Sequence, residues 1–295
     1  MLQTPERYVA WTMTKVMTFI ALVLVVGGLA YHFAALKIFN TLVPKDAGSW
    51  QAAADLHYGP DARQTLDIYK PTSGEGPWPI VVFVHGGSWQ EGNKNGYEFA
   101  GRAIASQGFL TLVMNYRLHP QSRYPAFIED VARALRWAAD NGGMYGGNSQ
   151  KLFAMGHSAG AYNVAMAVLD ESMAPNRPKL SGVVSLAGPF DFLPLDTAAT
   201  IKVFGEIADL AATQPINHAS KTAPPFLMLH GASDTTVFPR NASALDAALK
   251  RAGSASLLKI YPGVSHVGIM LSLAKPFRST PVLEDAVEFF RDKSR

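Results

Sequence analysis

Residues 152–160 read Leu152-Phe153-Ala154-Met155-Gly156-His157-Ser158-Ala159-Gly160. The first four are wholly apolar, as in a strand covered on both faces. Gly156–Gly160 then spells G-x-S-x-G, and Ala159–Leu169 reads as a helix. A strand that feeds a helix through one serine needs a turn tight enough to strain that serine's backbone. Glycine on either side lets neighbouring backbone approach with no Cβ in the way. Ser158 Oγ is then presented at the sheet edge beside a helix N-terminus. The dipole there and the Ala159 N–H suit a developing oxyanion. Ser158 is therefore the candidate nucleophile.

Outward from this turn, strand-like and helix-like stretches alternate. Gln64–Tyr69, Ile80–Val84, Leu110–Asn115, Val183–Leu186, Phe226–Leu229 and Leu257–Tyr261 read as strands. Tyr97–Ser106, Ala126–Asp140, Ala244–Arg251 (with Ser243 as its N-cap) and Val282–Arg291 read as helices. This rhythm predicts an α/β fold: a mainly parallel central sheet with helices on both faces. Chemistry in such sheets gathers at the carboxyl ends of the strands.

A serine hydroxyl needs a base, and the base needs an orienting carboxylate. In this architecture they follow the serine in the order carboxylate, then histidine. His266 lies in the glycine-flanked loop Gly263–Gly268 after the last strand and is the candidate base. His230, closing a strand, is expected to pack beside the site, and His218 falls in an irregular connection. Asp234 follows the strand Phe226–Leu229 and is the leading carboxylate. Asp191 and Asp196 are rivals, with helix capping as their alternative role. Strand Ile80–Val84 runs into His85-Gly86-Gly87-Ser88-Trp89. The backbone N–H groups of Gly86, Gly87 and Ser88, with that of Ala159, are candidate oxyanion donors.

On His85–Trp89, Asn115-Tyr116-Arg117-Leu118, Gly156–Gly160, His230–Asp234 and His266, the chain resembles the α/β-hydrolase superfamily from about Leu66 onward. Within it, the chain is similar to the esterase group of feruloyl/acetyl esterases, hormone-sensitive-lipase-like carboxylesterases and kynurenine formamidases. The resemblance implies a serine carboxylic-ester hydrolase that acts on a small-molecule ester. Its triad would be Ser158, Asp234 and His266, its oxyanion hole Gly86–Ser88 and Ala159, and neither metal nor organic cofactor is implied. Arylformamidase, serine peptidase and a catalytically inactive binding module are the alternative readings. The third glycine of the family's H-G-G-G pattern is Ser88 here. The Tyr116-Arg117-Leu118 segment carries no catalytic logic of its own. Residues 191–222 stand where such folds insert a cap, and plain core packing explains the same apolar residues.

The 295 residues are 48% hydrophobic and 17% charged, which excludes a disordered chain. Cysteine is absent, which excludes disulfides, thiolate metal sites and a thiol nucleophile. The net charge of +3 resides in residues 1–45, where Arg7, Lys15, Lys37 and Lys45 face Glu6 alone. The other 22 basic and 22 acidic residues cancel, so nucleic-acid binding is not expected. Residues 16–36 hold no charged side chain and, at about 1.5 Å per residue, reach about 31 Å as a helix, enough for a bilayer core. The expected organisation is a cytoplasmic N-terminus (1–15), a single-pass anchor (16–36), a linker (37–51) and an extracytoplasmic catalytic domain (52–295). A cleaved signal peptide, with export, is the alternative to the anchor.

Overall fold

The computed structural model describes residues 36, 38–173, 175 and 177–295. The apolar segment read as an anchor therefore lies outside the described residues except for Leu36. Among the described residues no helix is long and apolar enough to cross a membrane.

Eight strands form one sheet: β1 (Ser49–His57), β2 (Thr65–Pro71), β3 (Trp78–Val84), β4 (Leu110–Met114), β5 (Gly147–His157), β6 (Gly182–Leu186), β7 (Phe226–Gly231) and β8 (Ser256–Tyr261). Their spatial order is β1-β2-β4-β3-β5-β6-β7-β8. β1–β2 and β2–β4 are antiparallel, and every other pair is parallel. The helices of eight or more residues are α1 (Glu98–Ala105), α2 (Ala126–Asn141), α3 (Ala159–Leu169), α5 (Arg240–Arg251) and α7 (Val282–Lys293). Two shorter ones, α4 (Ala198–Phe204) and α6 (His266–Leu271), lie near the strand ends.

The alternation of side chains along β3 explains the layers. Ile80, Val82 and Val84 join the core under α2, α3 and α5, where Leu135, Val164 and Leu245 pack. Val81 and Phe83 point the other way, to Ile104 of α1 and Phe290 of α7. A wholly apolar strand is thus the signature of a sheet covered on both faces.

Of the expected linker (37–51), the described residues 38–51 are instead packed on the body. The chain is helical at residues 38–42, and Phe39 and Val43 are buried in the core. Phe39 meets Phe99 edge to face at 5.3 Å. Asn40 Oδ1 accepts the Phe99 N–H at 2.9 Å. Asp46 is gripped by Arg278, at 3.0 Å and 2.5 Å. Ser49–Gln51 already belong to β1. β1 is an edge strand with most side chains exposed, and its pairing is broken twice by register shifts, between Gln51 and Ala53 and between Ala53 and Leu56. It therefore lacks the alternation that betrays a half-buried strand. The expected Ser243 N-cap is also displaced. α5 starts at Arg240, and the Ser243 hydroxyl instead bonds back to Pro239 O within the first turn.

Candidate active site

β5 delivers Ser158 into a turn at φ 54°, ψ −124°, before α3 starts at Ala159. A non-glycine residue there carries strain of about 1–3 kcal/mol, which the surrounding structure has to hold. The flanking glycines make the turn feasible by close approach. A Cβ on Gly156 would lie 2.6 Å from the Gly160 backbone, and one on Gly160 would lie 2.2 Å from Val84 O. The Ser158 N–H is anchored to Leu186 O at 2.9 Å. Its hydroxyl is left at the carboxyl edge of the sheet.

His266 reaches that hydroxyl from the loop after β8. It is the first residue of α6, capped by Ser265, whose Oγ accepts the Gly268 N–H at 3.1 Å. Its Nε2 lies 2.9 Å from Ser158 Oγ across 108 positions of sequence. Its Nδ1 lies 2.7 Å from Asp234 Oδ2. A carboxylate beside Nδ1 places the proton there and leaves the Nε2 lone pair toward the serine. Asp234 Oδ1 accepts the N–H groups of Thr236 and Val237, each at 2.9 Å. Burial alone would raise the Asp234 pKa. The N–H edges of His230 and His266 outweigh it, with the Val237 N–H adding to them, and hold the carboxyl well below the usual carboxylate range. The three expected residues thus meet in one chain of contacts. Asp191 does not join them: its N–H bonds Asn241 Oδ1 at 2.8 Å. His218 donates to Ala212 O at 2.8 Å, away from this chain.

The loop after β3 lies against the serine. A Cβ on Gly86 would come within 3.1 Å of Ser158 Cβ. The Gly86 N–H, expected as an oxyanion donor, is already given to Tyr97 Oη at 3.3 Å. The N–H groups of Gly87 and Ser88 bond no acceptor among the described residues. Gly87 (φ 130°), Ser88 (φ 49°) and Trp89 (φ 59°) all lie at positive φ, so the Ser88 substitution is accommodated by strain.

Three aromatic and histidine side chains hold that strained loop, and sequence reasoning missed all three contacts. His85 is fully buried and stacked on Tyr116 at 4.4 Å and on Tyr97 at 5.8 Å. Burial pushes its pKa down to about 3, so the ring is neutral, and Nδ1–H donates to Gly86 O at 2.7 Å. Tyr116 Oη donates to His85 O at 3.1 Å. The next residue, Arg117, is locked to buried Asp130 through Nε at 2.9 Å and 3.0 Å. The Tyr116-Arg117 motif thus serves the loop after β3 indirectly, by fixing its backbone.

Residues 66–249 match the BD-FAE family model. The chain belongs to the BD-FAE family. Its relatives include a probable isoprenylcysteine alpha-carbonyl methylesterase of Oryza sativa subsp. japonica, 28% identical over 76% of this chain and 60% of the relative. Another is esterase LipQ of Mycobacterium tuberculosis, 29% identical over 80% of this chain and 61% of the relative. The chain spans between half and two thirds of the length of the first such relatives. Among solved structures, esterase B from Lactobacillus rhamnosis superposes with a TM-score of 0.77 at 21% identity, covering 88% of this chain and 93% of that one. A truncated carbohydrate esterase from gut microbiota gives 0.72 at 21% identity, over 85% and 99%. These likenesses establish the α/β-hydrolase fold. The BD-FAE match includes Ser158 and Asp234 and stops ahead of His266, which only the folded chain ties to them.

In this BD-FAE chain a cavity of about 450 Å³ opens beside Ser158, with Trp89, Phe192, Thr197, Val237 and Phe238 among its walls. Trp89 is pinned by its Nε1–H to Asn163 Oδ1 at 2.9 Å, and it meets Tyr162 and Phe204 edge to face. The stretch 191–222 answers to both of its readings. Phe192 and Thr197–Thr200 face the cavity, whereas Val203 and Phe204 are buried in the core. Asp196, the other rival carboxylate, lies on the cavity wall and not beside His266. No group of three or more His, Asp or Glu side chains among the described residues is placed to hold a metal ion.

Proposed function

We propose that the protein is a serine carboxylic-ester hydrolase. The observation that carries this reading is the contact chain from Ser158 Oγ through His266 to Asp234, at 2.9 Å and 2.7 Å, on a strained turn beside a cavity. Ser158 Oγ attacks the ester carbonyl carbon while His266 Nε2 takes its proton. The carbonyl electrons move onto oxygen, which the N–H groups of Gly87, Ser88 and Ala159 receive. The intermediate collapses, His266 returns the proton to the leaving alcohol, and an acyl-serine remains. Water, deprotonated by His266, then cleaves the acyl group and restores the hydroxyl. Asp234 stays ionised throughout and stabilises the imidazolium. The names of the relatives support the ester as the bond broken, since methylesterase and esterase recur among them.

A panel of p-nitrophenyl esters of rising acyl length, run beside N-formylkynurenine, tests the reading. Ester turnover that exceeds formamide turnover is expected. Absence of ester turnover in protein that is folded would overturn it.

Residues 16–36 are proposed as a single-pass anchor, with the catalytic body on the extracytoplasmic side. The support is the uncharged length of the segment and the cations Arg7 and Lys15 ahead of it. The full-length protein is then expected to stay with membranes through an alkaline wash. Release into the wash would refute the anchor, and protease protection of the body in spheroplasts would refute its side.

A further inference from the structure

His230 is fully buried at the end of β7, and the mechanism above makes no use of it. Its Nε2 lies 2.7 Å from Val237 O and 3.2 Å from Asp234 Oδ2. Both neighbours are acceptors, so Nε2 must carry the proton. The hydrogen is given to Val237 O, and the N–H edge faces the carboxylate. Nδ1 finds no partner among the described residues. A buried, unpaired ring nitrogen is uncommon and calls for a reason.

The surroundings supply that reason. The backbone of the loop that bears Asp234 is already stitched to the loop that bears His266. Ala232 N–H donates to Tyr261 O at 2.8 Å, and Ser233 N–H donates to Val264 O at 3.0 Å. A Cβ on Gly231 would fall 2.1 Å from Val264 O, so the two loops touch. What these bonds leave undetermined is the plane of the Asp234 carboxylate. Its Oδ1 is set by the Thr236 and Val237 N–H groups, and Val237 is in turn held by His230. Its Oδ2 lies between His266 Nδ1 and His230 Nε2.

We infer that His230 is a positioning residue: through Val237 O and Asp234 Oδ2 it fixes the carboxylate that orients His266. The inference rests on the reading of Asp234 and His266 as triad partners. It assigns His230 no contact with substrate.

Two substitutions separate this role from packing. Glutamine can carry an amide N–H to about the place of Nε2, whereas asparagine is too short to reach Val237 O. His230→Asn is expected to lower kcat by about 10- to 100-fold, as a small misplacement of a catalytic group does. KM should change less than kcat, because His230 itself does not line the cavity and reaches it only through the backbone of Val237. His230→Gln should recover most of the lost kcat. Equal losses in both variants, or a His230→Asn enzyme as active as the parent, would overturn the inference. Should His230→Asn not fold, ¹⁵N-histidine NMR of the unaltered protein decides. His230 is expected to carry a proton on Nε2, the nitrogen that faces Val237 O and Asp234 Oδ2. A ring that carries its proton on Nδ1 alone would count against it. Failure of the parent enzyme to hydrolyse any ester would instead strike the functional reading beneath.

Discussion

Replacing Ser158 by alanine removes about 10⁴- to 10⁶-fold from kcat while the protein keeps its fold. The loss is large because the nucleophile is the one group the other two serve. His266 Nε2 has no other hydroxyl in hand, and Asp234 orients a ring that then has nothing to deprotonate. Residual activity over water would come from the backbone donors and the cavity alone. Alanine keeps the Cβ and removes only Oγ, so the turn at φ 54° persists and its strain is unchanged. The measurement is kcat on a p-nitrophenyl ester, checked by a fluorophosphonate that labels Ser158 in the parent and nothing in the variant. A variant retaining more than about a tenth of the parent rate would remove Ser158 from the mechanism.

Asp234→Asn should cost about 10⁴-fold in kcat near neutral pH. The amide cannot accept from His266 Nδ1–H as a carboxylate does. Turned the other way, its NH₂ offers a donor that favours the wrong imidazole tautomer. The same change at Asp191 should leave kcat within about twofold, since the contact of Asp191 with the site is a backbone N–H on Asn241. The reverse ranking would show that the wrong carboxylate had been paired with His266. Thermal unfolding of both variants keeps a fold defect from passing as a catalytic one.

The elbow and its partners were legible because each is a local event. An apolar strand, a glycine-flanked serine and a helix are contiguous, and strand order alone places Asp234 and His266 at neighbouring sheet ends. The supports of the loop after β3 were not legible. Tyr97, Tyr116 and His85 come from separate elements and meet only when the sheet closes, so no spacing announces them. Gly86 looked like a donor because glycine pairs make flexible backbone, and only the fold shows its N–H given to Tyr97. His230 read as a neighbour of the site, and its position relative to Asp234 depends on a turn that brings it back to Val237, seven positions on. The N-terminal boundary failed for another reason. Phe39 and Val43 continue the apolar run before them, and their role in the core depends on Phe99 and other residues far along the chain.

That docked segment sets where the catalytic unit ends as a folding unit. A chain begun at Trp50 would uncover the ring of Phe99, take Phe39 and Val43 out of the core, and strip Arg278 of the carboxylate it grips. A piece that keeps these contacts therefore starts no later than Leu36, which is itself buried. It also follows that the chain has no slack between residue 38 and β1.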